Sequence, residues 1–174
     1  MNFHNKQWLY TGTIVPDPGA AGAGYAVTPK GYGIKAFTLG SAGRVKPTRI
    51  GNPDGINLTA YCIGGADEDY VTIINKTQGT EAADAAVTIP PAGPRWRGAE
   101  VMTLAGGEPG DATGASATLG GAAITGDAPW DGTWSALPSD PGAGVSLTVS
   151  ATTAAIARIH RAPDAPGPTA PGTP

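Results

Sequence analysis

Apolar and polar residues alternate along most of the chain, and this period of two is typical of β-strands that bury one face. The clearest example is 145–149, where Val145, Leu147 and Val149 point to one side and two polar residues to the other. Turns rich in Gly, Pro and Asp separate such stretches. Strands are predicted at 8–14, 57–63, 69–76, 85–89, 99–104, 116–121, 145–149 and 153–159.

The pattern changes at 28–40, where we predict one short helix. Thr28 is a suitable N-cap, and Pro29 suits the first helical position because its missing N–H has no helical partner there. An apolar face at helical spacing is formed by Tyr32, Ala36 and Leu39.

The segment 57–76 is predicted to be a hairpin with its turn at 64–67. Its second strand, 69–76, is apolar on both faces, which indicates a central position in a sheet. We therefore predict an all-β fold, an antiparallel β-sandwich of about eight strands with one short flanking helix. The sandwich would span 1–161, and the Pro-rich tail 162–174 would be disordered.

Composition fits many short strands linked by turns. The chain has 174 residues, 27 of them Gly and 17 Pro, and only 14% are charged. Its net charge of −3 provides no basic surface, so nucleic acid and anionic membrane are not predicted as partners. The sequence shows no apolar run long enough to span a bilayer and no export signal.

The sequence offers few groups for catalysis. His4 and His160 lie near opposite ends of the chain without metal-ligand spacing, and no nucleophile or phosphate-binding motif is present, so we predict no metal and no cofactor. The acidic run 67–69 falls in the predicted hairpin turn, where solvated charges are expected rather than the two facing carboxylates of a glycosidase. Cys62 lies in an apolar strand and is expected to be a small buried side chain.

Three tryptophans and two sequons leave alternatives open. An exposed row of Trp96, Trp130 and Trp134 could stack on sugar rings, whereas tryptophans in a small sandwich more often cover the core. Asn57 and Asn75 begin N-x-T sequons in or beside predicted strands, and we expect both to be unmodified.

Four elements occur in a fixed order along the chain. NFH at 2–4, followed by a short aromatic strand at 8–10, is the first, and GYGIKAF at 31–37 is the second. The third is NLTAYCIGGADEDYVTIINK at 57–76, and the last combines LGGA, DGTWS and the strands at the end of the chain. This order resembles the C-terminal part of glycoside hydrolase family 79, the β-glucuronidase and heparanase-like enzymes, over about residues 2–160.

The resemblance implies that this chain is a non-catalytic accessory domain. Enzymes of that family join a β-sandwich to a (β/α)₈ barrel that carries both catalytic glutamates, and a barrel alone needs about 250 residues. The implied partner is such a barrel, and the implied docking face comprises Phe3, His4, Tyr10, Tyr32, Ile34 and Phe37.

Two other functions stay open at this point. One is a carbohydrate-binding module that binds polysaccharide through the three tryptophans. The other is a free-standing enzyme with its own carboxylate site.

Overall fold

The computed structural model describes residues 12–16, 24–91, 96–106, 116–126, 128–140 and 142–162. These residues form twelve β-strands, one α-helix and a short 3₁₀ helix at Gly79–Glu81, so the predicted all-β fold with one short helix is confirmed. The elements are β1 (Ile14–Pro16), β2 (Tyr25–Val27), α1 (Pro29–Leu39), β3 (Arg44–Lys46), β4 (Leu58–Gly64), β5 (Glu68–Asn75), β6 (Ala85–Ile89), β7 (Trp96–Ala105), β8 (Thr118–Leu119), β9 (Ser135–Leu137), β10 (Ser139–Asp140), β11 (Gly144–Val149) and β12 (Thr153–Arg161).

The strands form three antiparallel sheets. A large seven-stranded sheet has the order β3-β4-β5-β12-β7-β8, with β9 also paired to β7. A small sheet has the order β10-β11-β6, and β1 and β2 form a two-stranded ribbon. The hairpin predicted at 57–76 is β4–β5, and β5 lies inside the large sheet between β4 and β12.

The core of the sandwich lies between the large and small sheets. Val145 of β11 packs with Trp96 and Ile159 of the large sheet, and Val149 packs with Ile73. The alternation predicted for 145–149 is confirmed, because Val145 and Val149 are buried while the polar residues between them are exposed.

The second face of the large sheet is covered in part by α1. Tyr32 and Ala36 pack in one buried cluster with Tyr70, Met102 and Ile156 of the sheet. In the middle of the central strands, apolar side chains are therefore buried on both faces of the large sheet.

Thr28 joins the start of α1 to the ribbon. It occupies the predicted N-cap position, but its hydroxyl donates to the carbonyl oxygen of Gly12 at 2.7 Å and makes no capping bond. A Cβ at Gly31 would lie 2.5 Å from Val27 Cγ1, so glycine permits the close approach of helix and ribbon.

Some element boundaries differ from the predictions. The strands β2, β3, β9 and β10 have two or three residues each and are too short to show a period in sequence. Only Thr118–Leu119 is extended within the predicted strand 116–121. Residues 8–11 of the first predicted strand and 163–174 of the predicted tail lie outside the described residues. No helix in the described part is long and apolar enough to cross a membrane.

Candidate functional site

Large apolar side chains are exposed mainly on one side of the molecule. We call this side the helix-bearing face: the outward side of α1 with the adjoining surface of the large sheet. Phe37 is 72% exposed and Val45 is 81% exposed. The exposed large apolar residues of this face are Ile34, Phe37, Val45 and Tyr61. Ile14 and Tyr25 of the ribbon are also exposed, and they lie on the side of the ribbon that carries Val27.

Strand register places the sheet residues on this face. Tyr61 lies opposite Thr72, which is close to the C-terminal end of α1 at Gly40. Val45 lies opposite Ile63, which packs against the cluster beneath the helix. Residues directly opposite each other in a pair share a face of the sheet, so Tyr61 and Val45 lie on the same side as α1.

The helix itself is apolar on two sides. Tyr32 and Ala36 face the sheet, whereas Ile34 and Phe37 are three residues apart on the outer side and are exposed. The outer side of α1 therefore has the character of a contact surface.

The residues of the predicted docking face differ in their exposure, and some of them lie outside the described part of the chain. Ile34 and Phe37 are exposed, as docking requires. Tyr32 differs from the prediction: it is only 4% exposed, and its hydroxyl oxygen accepts a hydrogen bond from the N–H of Ile124 at 2.8 Å. It points to the sheet because it shares the inner face of α1 with Ala36. The predicted docking residues Phe3, His4 and Tyr10 lie outside the described residues.

Beside the helix, charged side chains extend over three neighbouring strands, β5, β12 and β7. Arg158 Nε donates to Glu100 Oε2 at 3.1 Å. The ring of His160 lies between two carboxylates, with Nδ1 3.1 Å from Glu68 Oε1 and Nε2 3.3 Å from Glu100 Oε2. The Arg158 guanidinium lies 4.3 Å from the centre of the Trp134 ring. We call this group the polar array: Glu68, Tyr70, Glu100, Trp134, Arg158 and His160.

Electrostatics identify the polar array as an ion-pair network. The hydrogen bond from Arg158 is the main cause that lowers the pKa of Glu100. Burial, together with its hydrogen bond to Glu68, raises the pKa of Tyr70. Glu100 is thus held as an ion-paired carboxylate within the array.

The acidic run 67–69 is not uniformly solvated, in contrast to the prediction. Asp69 is only 3% exposed and pairs with Lys46 Nζ at 2.7 Å and with Arg161 Nη2 at 3.5 Å. Glu68 belongs to the polar array on the opposite face of the sheet. Both residues are on a strand, and alternation sends their side chains to opposite sides.

Acid is expected to weaken the fold through Glu100. Because its pKa is lowered in the folded chain, its stabilising effect is complete above the ordinary carboxyl range and is lost as pH falls through the lower folded-state pKa. The Glu100→Gln variant lacks this titration, so its free energy of unfolding should fall less steeply from neutral pH to about pH 3. Urea unfolding measured along that pH series tests this.

The control for that series is Glu81→Gln, which removes an exposed glutamate of the 3₁₀ helix and leaves the array intact. Equal pH profiles for wild type and Glu100→Gln would contradict a stabilising role of the Glu100–Arg158 pair.

The tryptophans do not form an exposed row. Trp96 is only 2% exposed and lies between the sheets, which differs from the predicted sugar-binding position. Trp130 is half-buried, with Lys35 Nζ 4.8 Å from its ring centre and its Nε1 donating to the Leu119 carbonyl at 3.1 Å. Trp134 is also half-buried and carries Arg158 on its ring. The two half-buried rings cover the cluster beneath the helix.

Two clefts lie away from the polar array. One of about 470 Å³ is lined by Tyr32, Leu104 and Ala117 among others, and one of about 490 Å³ lies between the sheets beside the loop 47–56. Cys62 lines the second cleft and is half-buried, and burial raises the pKa of its thiol. The described ranges contain no group of three His, Cys, Asp or Glu side chains that could hold a metal ion.

No protein-family model and no curated protein matches the sequence. The fold, however, is similar to parts of solved glycoside hydrolases. A GH51 arabinofuranosidase from Xanthomonas axonopodis pv. citri matches with a TM-score of 0.56 and 14% identity, over 85% of this chain and 28% of that chain. An arabinose-bound GH51 α-L-arabinofuranosidase matches with a TM-score of 0.53 and 11% identity, over 86% of this chain and 21% of that one.

A third structure, a 4-O-α-L-rhamnosyl-β-D-glucuronidase from Fusarium oxysporum 12S in complex with Rha-GlcA, matches with a TM-score of 0.52 and 18% identity. The match covers 76% of this chain and 30% of that chain. At these identities the likeness shows the fold alone. The chain thus shares its fold with a segment that makes up less than a third of each of these three enzymes.

Proposed function

We propose that this chain is a non-catalytic accessory domain of a glycoside hydrolase, of the C-terminal sandwich type of the β-glucuronidase-like enzymes. It would pack against a catalytic (β/α)₈ barrel through the helix-bearing face. The observation that carries this proposal is the concentration of exposed large apolar side chains on that face. Such patches usually mark a surface that another protein covers.

Burial of this face would provide a driving force for docking. Covering one large apolar side chain contributes about 1.5–3 kcal/mol, and Phe37 and Val45 are the most exposed candidates. Association also costs several kcal/mol in lost freedom of motion, so a few well-packed side chains are expected to dominate the affinity. Phe37 is the best anchor because aromatic rings are enriched among such residues.

The partial matches to glycoside hydrolases support the same assignment. The matching segments are 21–30% of the three enzymes described above, which leaves most of each enzyme outside the shared fold. In this proposal the hydrolytic reaction takes place in the barrel. Glu100 of the polar array is ion-paired, which is consistent with a structural role for this chain beside a catalytic barrel.

Docking can be tested by co-expressing the tagged chain with the barrel of a β-glucuronidase-like enzyme whose own sandwich has been removed. We expect the barrel to co-purify with the wild-type chain and to melt at a higher temperature in the complex. The Phe37→Ser variant should weaken binding about tenfold or more, as expected for the loss of an interface anchor.

The matched control is Ile50→Ser, which removes an exposed apolar side chain from the loop 47–56, away from this face. It should bind as the wild type does. Circular dichroism of each variant alone checks that it is folded. Absence of co-purification with a soluble barrel, or equal weakening by both substitutions, would overturn the proposal.

A further inference from the structure

The small sheet leaves part of the apolar inner face of the large sheet uncovered. Beneath the small sheet this face is fully buried, with Ala155 of β12 2% exposed and Ile73 of β5 3% exposed. The same face continues onto β4, because Ala60 lies opposite Ile73 and side chains alternate along a strand. The inner residues of β4 are only half-buried: Leu58, Ala60 and Cys62. The cover therefore ends between β5 and β4.

The small sheet ends at β6, and one edge of this strand is unpaired. Residues 85–89 pair with β11 along the other edge. Within the ranges that the structure describes, no second strand pairs with β6. An unpaired edge presents a row of backbone N–H and C=O groups, which is a template for one more strand.

The unpaired edge borders the cleft of about 490 Å³ that lies beside the loop 47–56. The apolar lining of this cleft comes from both sheets, with Ala60 and Val71 on the large sheet and Val87 and Ile89 on β6. Neighbouring strands of a sheet lie about 4.8 Å apart, so a strand added to β6 would enter this cleft and cover β4. One cleft thus combines a free backbone edge with an apolar floor, and an extended peptide is the ligand that uses both.

The loop 47–56 also lines the cleft and is held by its own hydrogen bonds. The N–H of Ile56 donates to Asn52 Oδ1 at 3.1 Å, and the N–H of Gly55 donates to the Asn52 carbonyl oxygen at 3.2 Å. In the described part of the chain, no backbone hydrogen bond joins this loop to β6. The cleft is therefore preformed, which lowers the entropic cost of binding a segment there.

We propose that the outer edge of β6 binds one extended polypeptide segment of a partner protein as a fourth strand of the small sheet. About five residues would pair with 85–89, with alternate apolar side chains directed toward β4 and polar ones toward solvent. β6 itself has this pattern, because Val87 and Ile89 face the cleft whereas Thr88 is exposed. The inference is independent of the proposed docking function, since β6 and α1 pack on opposite faces of the large sheet.

The site can be tested on the full chain with the acetylated and amidated peptide KVSLTVK as the probe. Its central five residues copy 145–149, the sequence that already pairs with β6 along the other edge. Titration of the ¹⁵N-labelled chain should shift the amide signals of 58–62 and 85–89, with a dissociation constant of about 0.1–1 mM for so short a peptide.

Two N-methylated forms of the probe test whether its backbone is used. Methyl groups at the valine and leucine positions, or at the serine and threonine positions, remove the N–H donors from one edge of the peptide strand. One of the two forms should bind at least about tenfold more weakly because it cannot donate to β6, and the other should bind as the unmodified probe does. Equal binding by all three peptides would indicate a plain apolar pocket and would overturn the inference.

Ala60→Phe should weaken binding of the probe at least about tenfold, because a ring at this position fills the close-packed space that the added strand needs. The matched control is Ala136→Phe, since Ala136 is exposed on β9 outside the cleft, and this variant should bind the probe as the wild type does. The comparison of the methylated peptides stays decisive even if a variant does not fold.

Absence of shifts at 58–62 and 85–89, or wild-type affinity in Ala60→Phe, would overturn the inference. A stable dimer of the unliganded chain that Ala60→Phe converts to monomers would also overturn it, because the occupant of the cleft would then be a second copy. Sedimentation velocity of the two proteins measures this.

Discussion

Replacement of Trp96 by alanine is expected to lower the free energy of unfolding by about 3–5 kcal/mol, the usual cost of removing a buried aromatic ring. The ring is 2% exposed and packs against Val145 of the small sheet and Ile159 of the large sheet. Its loss would open a cavity where the two sheets meet. In a chain of this size the melting temperature should fall by roughly 10 °C, which urea and thermal unfolding can measure.

The matched control is Trp96→Phe. It keeps most of the ring and removes an indole N–H that is buried without a hydrogen-bond partner in the described part of the chain. We expect it to cost less than about 1.5 kcal/mol. If the alanine variant were as stable as the wild type, Trp96 would have to lie outside the core, and a surface role such as sugar stacking would return to consideration.

The inward position of Trp96 shows where sequence patterns stop being informative. Ala99 also faces the sandwich core, although it is three residues from Trp96 and strict alternation would place the two on opposite faces. The register shifts between His160 and Arg161, so that Arg161 lies opposite Trp96 while His160 lies opposite Gly98. Such a bulge reverses the face of the following residue, and only the pairing of two distant strands reveals it.

Other parts of the fold could be predicted because their signals are local. The helix at Pro29–Leu39 has its N-terminal proline and its apolar spacing within one short segment. The alternation of 145–149 and the turn of the β4–β5 hairpin are equally local. For these elements the sequence neighbours are also the structural neighbours, so propensity and spacing are sufficient.

The polar array could not be predicted from such signals. Glu100 and Arg158 are 58 residues apart in sequence and become neighbours only through the pairing of β7 with β12. From the sequence, Glu68 can be interpreted as a polar residue of the hairpin turn, and this interpretation gives no indication of its place in the array. One indication was present, because two polar residues, Arg158 and His160, alternate with Ile159 directly after the apolar stretch 154–157.

The second large effect concerns Asn75, the first residue of a sequon. Its side-chain amide donates to the carbonyl oxygens of Ala83 and Val149 at 2.8 and 3.0 Å, and its oxygen accepts from the N–H and the hydroxyl of Thr77. The residue is 1% exposed. These hydrogen bonds connect the end of β5 to the small sheet. The asparagine of this sequon therefore has a structural role.

Asn75→Ala is therefore expected to lower the free energy of unfolding by about 3–5 kcal/mol, because each buried polar group left without a partner costs about 1–3 kcal/mol. The Val149 carbonyl oxygen and the Thr77 N–H would both lose the amide as a partner. The other sequon offers the control, since Asn57 is exposed and Asn57→Ala should change stability by less than about 0.5 kcal/mol. Urea unfolding of the two variants side by side is the measurement, and equal effects would show that the Asn75 network does not hold the sheets together.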